Sequence, residues 1–254
     1  LKHYVSNDFV LSYGLNSIYY NFNPGTVTPF AGMASVNPYQ IEKKYAWENA
    51  AYISAEHKFT DKLSMTYGLR YSNFLRLGKE LRNTYADNRP VVFNEQFQIY
   101  EEATPTGTIQ YDSNEKIASF DNLEPRLGIS YALDDKQSVK ASYNRMSQYI
   151  HLISNTASAT PLDIWAPSDQ YLKPEILDQV AAGYFRNFKD DNYSLETEIF
   201  YKKIKNKADY IDGADLIGHR AIERVMLNGE GRAYGLELMV KKNTGLLTGW
   251  LSYT

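Results

Sequence analysis

Many side chains in this sequence could do chemistry, but few are spaced for it. The four histidines, His3, His57, His151 and His219, show no spacing that would bring two of them onto one metal ion. Ser147 and His151 lie four residues apart. On a strand they would point to the same side at about 13 Å, too far for an imidazole to activate a hydroxyl. The chain has no cysteine, hence neither a disulfide framework nor a thiol ligand. A richer set is Glu48, Glu56, Arg70, Glu124, Arg126, Glu196, Glu198 and Glu237, since paired carboxylates can perform acid–base work. These residues mix signs and are spread over many segments, which fits a polar wall against water or polar protein better than a catalytic pair. No cofactor, no metal and no enzyme activity is expected.

The elements that carry these residues are long alternating strands. In Asn122–His151 one arm puts Leu123, Leu127, Ile129, Tyr131 and Leu133 on one face and Glu124, Arg126, Gly128 and Ser130 on the other. Asp134, Asp135 and Lys136 make a turn, and the second arm sets Val139, Ala141 and Tyr143 against Lys140, Ser142 and Asn144. Pairing Leu133 with Gln137 brings Tyr131 to Val139, Ile129 to Ala141 and Leu127 to Tyr143, so apolar meets apolar. Each arm approaches the roughly nine to eleven residues that a tilted strand needs to cross a bilayer, beyond the usual five or six.

The chain has 254 residues, a net charge of −3 and 22 tyrosines beside 11 phenylalanines and 3 tryptophans. Mean hydropathy is −0.48, and no apolar run approaches the length of a membrane helix. A barrel escapes that exclusion because its inward faces are hydrophilic. Tyrosine suits strands, and it suits a membrane interface, where the ring sits in lipid and the hydroxyl in water. The near-neutral charge gives no footprint for nucleic acid.

The same pattern recurs along the chain. Phe9–Phe22 alternates; Trp47–Phe59 and Leu63–Leu77 pair around 60–62, with Ile53 opposite Leu69 and Ala51 opposite Tyr71. Leu177–Phe188 and Tyr193–Ile204 pair so that Tyr193 meets Phe188, Thr197 meets Tyr184 and Ile199 meets Ala182. Arg232–Lys242 and Leu246–Thr254 close on Thr244-Gly245, with Leu238 opposite Leu251 and Leu236 opposite Tyr253. Short connections (6–8, 60–62, 134–136, 189–192, 244–245) alternate with long ones (23–46, 78–121, 152–176, 207–230). The segment 78–121 reads as irregular apart from a short strand within Pro90–Tyr100.

Short turns at one end and long loops at the other are the build of an outer-membrane barrel. The expected fold is therefore all-β: an antiparallel up-and-down transmembrane β-barrel, of which nine to ten strands are visible. Its outward face would meet outer-membrane lipids. Leu1 is not an initiator methionine and GWLSYT breaks off in mid-alternation, so residues 1–254 read as a partial barrel domain excised from a longer chain. The alternative is a secreted, soluble β-sandwich that binds carbohydrate.

The stretch Thr160–Phe188, TPLDIWAPSDQYLKPEILDQVAAGYFRNF, resembles the barrel of TonB-dependent outer-membrane receptors of the Bacteroidota type. Ile18–Gly25, Asn122–Leu133, Ile199–Ala214, Gly229–Lys242 and Leu247–Thr254 are similar to the same family. The resemblance implies a barrel of about 22 strands with a plugged lumen. It also implies uptake of a scarce nutrient, a siderophore, cobalamin, glycan or peptide, driven through the TonB complex. Implied partners are the receptor's own plug domain, TonB, the extracellular ligand and, in this type, a surface lipoprotein. The family's plug, TonB box and closing aromatic strand are not found in this stretch.

Ligand contacts belong in the long loops, where aromatics stack and polar groups orient. Asp163, Trp165, Asp169 and Tyr171 form the densest cluster, with a structural role as the competing reading because the family resemblance is closest there. Arg82, Arg89, His219 and Arg220 are the candidates from the loops more particular to this chain.

Overall fold

The computed structural model describes residues 1–28, 39–154, 163–189, 191–214, 216, 219 and 221–254. It is organised on one ten-stranded antiparallel sheet in which each strand pairs with the next. The strands are β1 (Lys2–Tyr4), β2 (Phe9–Phe22), β3 (Lys44–Lys58), β4 (Leu63–Leu77), β5 (Lys116–Asp134), β6 (Gln137–Gln148), β7 (Glu175–Phe188), β8 (Tyr193–Tyr210), β9 (Met226–Lys242) and β10 (Gly249–Tyr253). The only other sheets among the described residues are two-stranded ribbons, so nothing faces this sheet as the second half of a sandwich would.

Registers follow the greasy faces. Ile53 pairs with Leu69 and Ala51 with Tyr71; Tyr131 with Val139, Ile129 with Ala141 and Leu127 with Tyr143; Tyr193 with Phe188, Thr197 with Tyr184 and Ile199 with Ala182. Two turns differ from expectation. Asp134, not Leu133, pairs with Gln137, and Leu133 falls in an irregularity. The cause is Asp134 itself, whose carboxylate accepts the Lys136 N–H at 2.8 Å and the Gln137 amide at 2.6 Å and so tightens the loop. In the last hairpin Leu238 pairs with Tyr253 and Val240 with Leu251, two residues away from the expected register. The turn there spans 243–248 with Gly245 at φ +111°, wider than Thr244-Gly245 alone. A shift of two keeps every side chain on its face.

The segment 78–121 is more regular than its polar sequence suggests. Glu80–Thr84 pairs with Gly107–Tyr111, Val91–Asn94 pairs with Ile99–Glu102 as a hairpin outside the main sheet, and β5 already begins at Lys116. Ile150–Ile153 and Ile164–Pro167 form a further ribbon. β5, β8 and β9 run 19, 18 and 17 residues, well past the roughly nine to eleven that span a bilayer, and their surplus lies at the long-loop end. Asn206 sits at φ 55° in a bulge of β8 and donates its amide to the Pro174 carbonyl at 2.9 Å, tying β8 to the start of β7.

The greasy faces bearing Leu15, Ile53, Leu69, Leu127 and Ile199 are exposed. Burial concentrates instead at the long-loop end, in three clusters. Ile153, Ala166, Leu172, Leu216, Val225 and Met226 form one; Ala46, Phe74 and Tyr149 a second; Tyr85, Ala103 and Tyr171 a third. The apolar contacts that hold the loops together therefore sit on top of the sheet.

Candidate ligand-binding site

On the inner face, β2 to β5 present a connected polar network. The Tyr20 hydroxyl donates to Glu48 at 3.1 Å, Arg70 bridges Glu48 at 3.0 Å and Glu124 at 3.7 Å, and Ser72 donates to Glu124 at 2.7 Å. Three of the scattered charges are thus gathered by cross-strand register. Glu56 pairs with Lys2 at 3.4 Å, while Arg126 is exposed and has no ion pair among the described residues. Glu198 lies directly opposite Glu237 across β8 and β9, a placement of like charges that costs stability unless a cation is brought to it, and Glu196 sits one inward position below on β8.

The loop end holds a second, more buried network. Arg82, on the ribbon that continues β4, reaches Asp169 at 2.8 Å and Glu80 at 3.5 Å, and Arg76 pairs with the other oxygen of Glu80. Asp169 also accepts the N–H groups of Tyr171 at 2.8 Å and Leu172 at 3.0 Å, so it closes its own turn while binding Arg82. The Arg82 guanidinium lies 5.5 Å over the Tyr171 ring, which packs edge-on against Tyr85. Tyr85 donates to Glu223 at 2.7 Å and Asn83 donates to it at 3.4 Å; Arg224 pairs with Glu102 at 3.1 Å. These contacts clasp connections 78–115, 149–174 and 211–225 to one another.

Burial works against the charge on both members of the central pair, and the pair overrides it. Arg82 is held above the ordinary guanidinium value because Asp169 and Glu80 outweigh its desolvation. Asp169 is held below the usual carboxylate range because Arg82 outweighs its own. Burial, then the bond to Glu223, pushes the Tyr85 phenol up.

Over this clasp lies a cavity of about 420 Å³ lined by Glu42, Lys44, Arg82, Trp165, His219 and Glu223 among others. All four long connections contribute to it. Burial and the nearby Glu80 push the Glu42 carboxyl up. Trp165, on the cavity wall, is 54% exposed.

Asp169 and Tyr171 are buried in the clasp, and Arg82 shares the clasp and the cavity wall. Trp165 and His219 line the cavity. His219 also lies 3.8 Å from Glu102. Asp163 is half-buried and already has a partner. Arg89 is exposed beside the short turn 86–88, away from the cavity, and Arg220 lies outside the described residues. Sequence reasoning missed Glu42, Glu80, Glu102, Glu223 and Arg224. The alternation Glu80-Leu81-Arg82 was a signal for part of this, but the cross-loop pairs left none.

His151 has a partner that its strand spacing did not suggest. Its Nε2 is 2.9 Å from Ser168 Oγ, and its Nδ1 is 3.8 Å from Glu175. The order resembles a Ser-His-acid relay, but Ser168 is 0% exposed and closed to any substrate. Burial lowers the His151 pKa, against the pull of Glu175 and with the help of Lys207. A buried ring that prefers to be neutral gives its full stabilisation above the ordinary histidine pKa of about 6.5 and loses it as pH falls below that value. Hydrogen exchange of the 150–153 and 164–167 amides, corrected for intrinsic rate, should therefore show protection falling between about pH 7.5 and pH 5. Pure intrinsic-rate behaviour would remove His151 from that ribbon's stability.

One antiparallel sheet with an exposed greasy face, a polar inner face, short turns at one end and a loop cluster at the other defines the wall of an outer-membrane β-barrel. The sequence profile described as TonB dependent receptor-like, beta-barrel, matches residues 2–254, and the chain belongs to that family. The family's proteins are outer-membrane transporters, not enzymes, and this chain is an outer-membrane protein. In fold it is similar to the FrpB iron transporter from Neisseria meningitidis, F5-1 variant, with TM-score 0.59 and 18% identity over 99% of this chain and 34% of that one. It is also similar to the copper transporter OprC, with TM-score 0.58 and 13% identity over 95% of this chain and 34% of that one. A third likeness is to the Serratia marcescens hemophore receptor HasR in complex with its hemophore HasA and heme, with TM-score 0.53 and 15% identity over 96% and 41%. The chain spans about a third of the length of the first two. No curated protein matches it by sequence.

Proposed function

We propose that this chain is the ligand-capturing part of a receptor barrel, of the Bacteroidota type, that takes up a scarce nutrient with energy delivered through TonB. The observation that carries the reading is the convergence of all four long connections on one cavity at the outward end of the sheet. The nutrient belongs to the range of siderophore, cobalamin, glycan or peptide. The ten strands are part of a larger barrel of about 22. A plug domain of the same parent protein packs on the inner face, where facing Glu198 and Glu237 await a cation and the Glu48–Arg70–Glu124 network offers polar contacts that can be released. A surface lipoprotein would close over the loop end.

The test compares the parent strain, a receptor deletion and a strain lacking TonB for depletion of those four nutrient classes from the medium. One class should be spared equally in both mutants, and unchanged depletion of all four would remove the transport reading. In the receptor itself, Trp165→Ala should raise the half-saturating ligand concentration by about tenfold, the loss expected of one stacking contact, with barrel amount unchanged. An unaltered saturation curve would take the cavity out of ligand capture.

A further inference from the structure

The charges on the wall of the loop cavity do not cancel. Glu42, Glu80 and Glu223 line it on the acidic side, Lys44 and Arg82 on the basic side. Two of these are already spent: Glu80 on Arg76 and Arg82, and Arg82 on Glu80 and Asp169. His219 faces Glu102, which itself pairs with Arg224. Glu42, Glu223 and Lys44 have no ion pair among the described residues, and Lys44 acts on Asp169 as well as on Glu42, lowering both carboxyls. With the buried partners counted, Asp169, Glu42, Glu80 and Glu223 stand against Arg76, Arg82 and Lys44, so the site is one cation short.

The two free carboxyls have capacity left for a visitor. Both hydrogen bonds to Glu223, from Tyr85 and Asn83, fall on Oε1, which leaves Oε2 without a partner among the described residues. Neither donor carries a charge that would neutralise it. Burial, and then Glu80, push the Glu42 carboxyl up even though Lys44 and Arg76 pull it down, and a cation brought beside it would relieve that repulsion. Trp165 shares the wall, and an indole is the aromatic ring that holds a cation best, within about 6 Å of its centre. Ile41, Ile153, Ile164 and Ile222 supply apolar lining.

We infer that the nutrient taken by this cavity carries a cationic side group on an apolar body, as a short lysine- or arginine-bearing peptide does, and that Glu42 and Glu223 select it. This rests on the proposed role of the cavity in ligand capture and singles out the peptide from the four nutrient classes. A ferric catecholate would bring more negative charge to two free carboxylates. A neutral glycan and the amide-fringed cobalamin offer them no cationic side group. A lysine or arginine sets its charged head against Glu42 or Glu223 while its methylene stem and an apolar neighbour lie on the isoleucines and Trp165.

The experiment titrates the full receptor, purified in detergent, with three capped tripeptides, acetyl-Phe-X-Phe-amide, in which X is Lys, Gln or Glu. The Lys form should bind about thirtyfold more tightly than the Gln form, and the Glu form more weakly still. Glu42→Gln and Glu223→Gln, each of which keeps a carbonyl oxygen in place, should each cost the Lys form about fivefold, and the double variant should bind the Lys and Gln forms alike. Lys44→Gln, which removes the wall's unpaired cation, should tighten the Lys form. The heat-modifiable band should be unchanged in every variant. Equal affinity for the three peptides, preference for the Glu form, no binding of any of them, or a Lys preference that survives the double variant would overturn the assignment. Sparing of a siderophore or a glycan in the TonB-dependent depletion test would leave the transport reading standing while this one falls.

Discussion

Arg82→Met should abolish ligand capture while leaving the barrel assembled. The guanidinium is the only cation within 3 Å of Asp169 among the described residues, and both Asp169 and Glu80 are nearly closed to water. Removing one partner of a buried ion pair strands the other charge at a cost of roughly 3–5 kcal/mol. That cost falls on the clasp between connections 78–115 and 149–174, not on the strand ladders below. Hydrogen exchange should rise in 80–84 and 164–172 and stay flat in β5 to β8, with ligand affinity lost. Asp169→Asn keeps an oxygen for the Tyr171 and Leu172 amides, so the double variant should be less damaged than the two single effects added. Additive damage would mean that the pair does not act as a unit.

Leu127→Arg and Leu69→Arg should each prevent accumulation of folded receptor in the outer membrane. Both leucines are exposed on the outward face, Leu127 between Tyr67 and Tyr143 and Leu69 between Ile53 and Pro125. A cation near the bilayer midplane costs roughly 2–4 kcal/mol, a large share of a typical folding free energy. Ser142→Arg puts the same side chain on the inner face, in the row of Gly128 and Ala181, and should be tolerated. The readout is the heat-modifiable band in outer-membrane fractions. Wild-type levels in either leucine variant, or loss in Ser142→Arg alone, would invert the face assignment.

The sheet was legible because its signal is local and repeated. Alternation sets which face each residue joins, and a tight polar turn sets the register, so pairs such as Ile53 with Leu69 and Ile199 with Ala182 followed directly. The last hairpin slipped by two because Leu246–Thr248 could continue the strand or widen the turn, and both choices keep the same faces. Within 78–121 the short strand expected in Pro90–Tyr100 is present as Val91–Asn94, but its pairing with Ile99–Glu102 and the ribbon of Glu80–Thr84 with Gly107–Tyr111 were missed because these strands run only four or five residues, too short for alternation to stand out. The loop site was half visible: Arg82, Trp165 and His219 were named from residue type and position. Glu223, Glu42 and the Ser168 partner of His151 were not, because pairs between loops distant in the chain leave no periodicity.

The central claim is that the ten strands cross the outer membrane with the long connections outside. This stretch carries no cysteine, so a single introduced thiol reports its own position against the unmutated parent. Phe97→Cys places it at the exposed tip of the 91–102 hairpin, and Asp135→Cys in the short turn between β5 and β6. On intact cells a membrane-impermeant maleimide should label Cys at 97 and spare Cys at 135 until the outer membrane is opened. Labelling at 135 with protection at 97 would contradict the orientation, and labelling of both on intact cells would contradict the membrane-spanning sheet itself.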